Sequence, residues 1–254
     1  TAALVAVAKG TEERSLKKLK NLVMASGARV QWRSSVFELV DELRCGIGNR
    51  LLQYRADVNG VTDGSSWTPL IWASHRGYNN LVQVLVDNAA DVNCSEEANG
   101  LSALHVAVNG NTVNVLCRAK ADMSNQENLG GASLYVAAQY GRVESVQAML
   151  KLKADLSQAR PDGSCALYAA AKLGKSSAVR VLIDAKATVD QRSRNTCSPL
   201  GIAIEYGHLD VVEMLVLAKA DVDNVCHDNQ AVAWARQCNQ TVVLDVLNRH
   251  RATK

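Results

Sequence analysis

The 254-residue sequence predicts an all-α solenoid of stacked antiparallel helix pairs. Three observations carry that prediction. Alanine, a polar residue and usually valine recur at Ala56-Asp57, Ala90-Asp91, Ala121-Asp122, Ala154-Asp155, Ala187-Thr188 and Ala220-Asp221, in steps of 34, 31, 33, 33 and 33 residues. A second phrase keeps the same interval: Thr68-Pro69-Leu70-Ile71-Trp72-Ala73, Ser102-Ala103-Leu104-His105-Val106-Ala107, Ala132-Ser133-Leu134-Tyr135-Val136-Ala137, Cys165-Ala166-Leu167-Tyr168-Ala169-Ala170 and Ser198-Pro199-Leu200-Gly201-Ile202-Ala203. A glycine follows it in most copies, at Gly77, Gly141, Gly174 and Gly207. A fixed period of this size marks a repeat architecture.

Each element of the unit has a physical reason. Leu and Ala three residues apart share one face of a helix, so the second phrase opens the first helix. The glycine ends it where the chain must reverse. A second apolar helix follows, marked by Leu81, Val82 and Leu85, by Val143, Val146 and Leu150, and by Leu209, Val212 and Leu215. Their spacings of three and four define a stripe. The Ala-Asp phrase closes the unit, and a polar turn leads into the next.

A unit of about 33 residues with this opening phrase, mid-unit glycine and closing Ala-Asp resembles the ankyrin repeat. Thr68-Pro69-Leu70, Ser198-Pro199-Leu200 and Leu104-His105 carry the resemblance best. It implies helix pairs with projecting β-turn or hairpin loops. Residues 60–223 form five such units, residues 1–59 degenerate N-terminal repeats or a cap, and residues 224–254 a C-terminal capping repeat. In the last, Val232, Ala235, Val243 and Leu247 occupy the apolar places, and Asn239 replaces glycine. Upstream, Val36, Leu39, Ile47, Leu51 and Ala56-Asp57 make a worn unit, and Leu4, Ala8, Gly10, Leu16, Leu19, Leu22 and Gly27-Ala28 an earlier one.

Two departures from the family pattern stand out. The family closes with Gly-Ala-Asp, but here the glycine place holds Arg55, Ala89, Lys120, Lys153, Lys186 and Lys219. Either these loops store the strain of a left-handed residue or they turn differently. The 31-residue step requires a shortened first helix or reversal near Asn109-Gly110-Asn111. That is either a tolerated deletion or a bend that shapes a binding surface.

Composition narrows the function. Apolar residues at 48% are enough for a sizeable core, which argues against disorder. A net charge of +3 is too small to point to nucleic acid. No apolar run is long enough to cross a bilayer. Seven cysteines, an odd number without C-x-x-C, point to reduced thiols in a reducing intracellular compartment, cytoplasm or organelle interior. No secretory leader is visible, and a start at Thr1 is compatible with an imported, trimmed protein.

No hydrolase, metalloprotease or P-loop motif occurs. Gly46-Ile47-Gly48 lacks the third glycine of a dinucleotide fingerprint, and Cys226-His227 with His208 lacks four-ligand metal spacing. The expectation is therefore a chain that is not an enzyme, holds no cofactor or metal, and takes no small-molecule substrate. Arg14, Lys17, Lys18 and Lys20 make a basic amphipathic helix, either a solvated face or a contact for an acidic partner, a membrane surface or nucleic acid.

The resemblance implies protein binding through the concave face and turn tips. Carried over residue by residue, the candidate contacts are Trp67 and Leu101 before the opening phrase, and His75, Arg76, Gln139, Tyr140, Lys172, Glu205 and Tyr206 before the mid-unit glycine. Arg160, Arg192 and Arg194 lie at turn tips, with Asp63, Glu97, Asn128 and Asp162. Trp, Tyr and Arg are the residues favoured at interface hot spots. Trp67 either meets a partner or covers its own turn, and Tyr140 and Tyr206 either meet a partner or pack over the next helix. Trp72 and Trp234 belong in or near the seam between helices, and His105 is a structural hydrogen-bonding residue. An adaptor or scaffold is one reading; a fixed accessory subunit of a larger assembly, organellar among the options, is the other.

Overall fold

The computed structural model describes residues 45–46, 48–49, 52–53, 57–61, 66–194, 197–223, 225–226 and 230–252. Most of the N-terminal expectations, the basic helix at Arg14 to Lys20, Arg55, Asp63 and His227 lie outside the described residues. Gly46 and Gly48 fall in helical segments. The chain divides into two units, 1–122 and 123–254.

Among its described residues from 66 on, the first unit holds two helix pairs: α1 (Pro69–Arg76) with α2 (Asn79–Asp87), and α3 (Ala103–Val106) with α4 (Gly110–Arg118). The Thr68 hydroxyl accepts the Ile71 N–H at 3.3 Å, and Pro69 takes the first helical position, where no N–H is needed. At the other end Gly77 has φ 70°, its N–H bonding the Ser74 carbonyl while Tyr78 N–H bonds that of Ala73. This pairing consumes two otherwise orphaned carbonyls and demands a left-handed residue. The α1/α3 and α2/α4 neighbours pack side by side.

α3 explains the 31-residue step. It has four residues, and Ala107 leaves the helix at φ −55°, ψ 123°, so no left-handed glycine is used. Asn109 starts α4 directly, its side chain accepting the Thr112 N–H at 2.9 Å. What α3 lacks in length His105 offsets in bonding: its Nδ1 accepts from the Ser102 N–H at 3.1 Å and lies 2.8 Å from the Ser102 hydroxyl. His105 is fully buried, in the structural role expected of it.

The second unit repeats the scheme four times: α5 (Ser133–Gln139) with α6 (Val143–Lys151), α7 (Ala166–Lys172) with α8 (Ser176–Asp184), α9 (Pro199–Glu205) with α10 (Leu209–Leu217), and α11 (Ala231–Gln237) with α12 (Thr241–Ala252). First helices stack on first helices and second on second. The Leu-x-x-Ala places are buried: Leu134 and Ala137, Leu167 and Ala170, Leu200 and Ala203. Small alanines let neighbouring helices approach closely. Turns between pairs carry single antiparallel bridges at Gln126 to Ala132 and Ala159 to Cys165.

Two expectations are adjusted. Val143, Leu150 and Leu209 are only half-buried; the buried stripe runs through Val146 and Met149 in α6 and through Val211, Val212 and Leu215 in α10. Nor do all seven cysteines lie apart. Cys197 and Cys226, both buried, are brought within disulfide reach, because the position two residues before α9 meets the segment leading to α11, with Cα atoms 4.0 Å apart. The other five form no disulfide.

The closing loops settle the question raised by the missing glycines. Ala89, Lys120, Lys153, Lys186 and Lys219 all adopt φ between 62° and 67°, and Asn239 φ 57°. The loops keep the left-handed geometry and carry its cost.

Candidate functional site

In the first unit the candidate contacts cluster on α1. The Trp67 and Trp72 rings lie 4.5 Å apart, and the His75 ring meets Trp67 edge-on at 5.3 Å. Trp67 and His75 are half-buried by this packing, whereas Arg76, one residue before the reversal, is exposed. Leu101, opposite the Ser95 to Ser102 bridge, is half-buried.

In the second unit the residues before each reversal are more open. Tyr140, Leu173 and Tyr206 are the C-caps of α5, α7 and α9, and they are 61%, 43% and 50% exposed. Tyr140 carries the Arg142 guanidinium over its ring at 4.9 Å, and Lys172 Nζ lies 5.8 Å from the Tyr206 ring. Burial holds the Arg142 pKa below the ordinary arginine value, opposed by Tyr140. Tyr206 also stacks on His208 at 6.3 Å, and the His208 Nε2–H donates to the Lys172 carbonyl at 3.0 Å. Gln139 is half-buried, while Lys172 and Glu205 are exposed.

The turn tips divide by role. Arg160 is turned inward: its guanidinium donates to the Glu127 carboxylate at 3.0 Å, to Leu129 carbonyl at 3.0 Å and to the Tyr135 hydroxyl at 3.1 Å, with its Cζ 4.8 Å over the Tyr135 ring. Glu127 also accepts the N–H groups of Leu129 and Gly131, so one carboxylate organises the turn and ties it to the next. Sequence reading had no means of finding this clasp, because its members are 25 to 33 residues apart. Arg192 is half-buried and Arg194 exposed, its N–H bonded to the Asp162 carbonyl of the preceding turn.

Asparagine and aspartate side chains link successive closing loops. Asn59 accepts from Asp91 N–H, Asn93 from Asp122 N–H, and Asp190 from Asp221 N–H, each at 2.8 or 2.9 Å. Trp234 donates its indole N–H to the Gly201 carbonyl at 3.1 Å, in the seam expected for it.

Among the described residues, no group of three or more His, Cys, Asp or Glu is placed to hold a metal ion. No described helix is long and apolar enough to cross a membrane. Among the described residues, the arrangement offers exposed apolar and charged side chains at the ends of packed helices.

The comparisons with known proteins agree with the geometry. No curated protein matches the sequence. The chain is similar in structure to the ankyrin repeat domain of Bcl-3, described as a unique member of the IkappaB protein family, with 22% identity and a TM-score of 0.66 over 86% of this chain and 100% of that one. At that identity the likeness speaks for the fold. The family model for ankyrin repeats (3 copies) matches residues 38–127 and 133–226. With helix pairs at the same interval and left-handed reversals where the motif places them, the chain belongs to the ankyrin-repeat family.

Proposed function

We propose that the chain is a non-enzymatic protein-binding module, an adaptor or scaffold that holds a partner protein on its first helices and turn tips. The observation that supports this most is the exposure of Tyr140 and Tyr206 at equivalent places two repeats apart. Large aromatic side chains left open on a well-packed support are what protein interfaces use as anchors. The contacts proposed are Trp67, His75, Arg76, Leu101, Gln139, Tyr140, Lys172, Arg192, Arg194, Glu205 and Tyr206; Arg160 contributes chiefly by holding its turn in shape. The repeats that carry them span 60–223, with 1–59 and 224–254 as caps.

A second reading, a fixed accessory subunit of a larger assembly, is favoured by Leu217 and Val242, which are 70% and 59% exposed on second helices. Affinity capture separates the two. The intact chain is compared with one carrying Trp67→Ala, Arg76→Ala and Tyr140→Ala. Loss of a defined partner in the triple variant supports the adaptor reading. Equal recovery by both removes the proposed contacts.

The proposed compartment is reducing. Thiol titration of unreduced, denatured protein checks this: seven reactive thiols support it, whereas five with Cys197 and Cys226 oxidised speak for an oxidising one.

A further inference from the structure

Among the described residues of the whole chain, eight large apolar side chains are exposed, and three of them occupy one repeat position. Tyr140, Leu173 and Tyr206 follow one another at 33 residues, each as the C-cap of a first helix. Side-by-side helices pack about 8–10 Å apart, so the three form a ladder of about 20 Å with one apolar rung per repeat. The charges beside it are uneven. Lys172 and Lys175 flank Leu173 in sequence, and Arg142 lies over Tyr140. The nearby carboxylates are Asp162, which feels the charge of Lys172, Glu205 beside Tyr206, and Glu144 and Asp210 in the first turns of α6 and α10. The middle rung is therefore cationic on both sides. His208 donates to the Lys172 carbonyl, so it serves the fold.

We infer that this ladder docks an extended segment of a partner protein, with an apolar side chain at every third residue and a carboxylate beside the central one. Three residues of extended polyproline-II chain advance about 9 Å, which matches one rung per repeat. A helix about 10–12 Å wide would need a broader surface than a single file of side chains. The carboxylate meets Lys172 and Lys175. The inference rests on the protein-binding reading and names the partner's chemistry.

The test uses the full chain and labelled nine-residue peptides in fluorescence anisotropy. One peptide has leucine at positions 2, 5 and 8 with glutamate at 4 and 6. A second has the same composition with leucines at 2, 4 and 8, and a third has lysine for glutamate. Saturable binding of the first, about tenfold tighter than either control, is expected. Tyr140→Ala with Tyr206→Ala, and separately Lys172→Glu, weaken it about tenfold, while Leu217→Ala on the second helix of its repeat leaves it unchanged. Circular dichroism confirms that each variant is folded. Absence of saturable binding, equal binding of the first and second peptides, or indifference to the ladder variants overturns the inference. So does concentration-dependent dimerisation that the same variants abolish, because the occupant would then be a second copy of this chain. If the peptides fail while capture of a partner still depends on Trp67, Arg76 and Tyr140, the ladder is wrong and the binding module stands.

Discussion

A lysine in the left-handed region carries its Cβ into a crowded position, at about 1–2 kcal/mol relative to glycine. Lys120, Lys153, Lys186 and Lys219 meet that cost at equivalent positions just past second helices. Two effects offset part of it: attraction of the cation to the helix C-terminus, and the entropy that glycine would add to the unfolded chain. Lys153→Gly with Lys186→Gly is expected to raise stability by about 0.5 kcal/mol per site, read as an upward shift in melting temperature. No gain would show that the loops carry no net strain. Asp155 gives the matching pH prediction. Hydrogen bonds from the Ser157 hydroxyl and N–H hold its carboxyl below the usual value. A folded pKa below the unfolded one stabilises the fold at pH above about 4, and that stabilisation is lost as pH falls through the folded value. The stability difference between wild type and Ser157→Ala should therefore shrink between pH 6 and pH 2.5 in urea titrations.

At the scale of elements, turns and helices are held by partners from the next repeat. Arg160 and Glu127 are 14% and 8% exposed, and Arg160 gives Glu127 its only ion pair among the described residues. Removing the guanidinium strands a nearly buried carboxylate that keeps two backbone N–H bonds. Arg160→Ala should destabilise the fold by about 2 kcal/mol, and Arg160→Lys should recover little, because a single ammonium cannot span three acceptors. A change below 0.5 kcal/mol in urea unfolding would contradict the clasp. In α3, Ser102→Ala removes the hydroxyl beside His105 and should cost about 1 kcal/mol. The helices themselves were legible in sequence: Leu-x-x-Ala, the reversal glycines and Asn239 place them without structural help. The shortened α3 could be located by counting residues. The Arg160 clasp and the Cys197–Cys226 pair could not, because both depend on side chains that meet only after repeats stack.

At the scale of the molecule, a single helix pair buries too little to stand alone, and its stability comes from neighbours. In each unit the interior is filled mainly by alanine, leucine and valine, and the most exposed rings, Tyr140 and Tyr206, stand at helix ends. That division leaves the surface free to differ between repeats without disturbing the core, which is why the contact residues are harder to read than the fold. The central claim, that first-helix ends hold another protein, is tested most directly by site-specific photocrosslinking. A benzoylphenylalanine is placed at position 206 or at position 217 of the full chain, which is then illuminated in extract from its native source. A discrete protein adduct is expected from position 206, and none in common with it from position 217. The same adducts from both positions, or none from position 206, would contradict it.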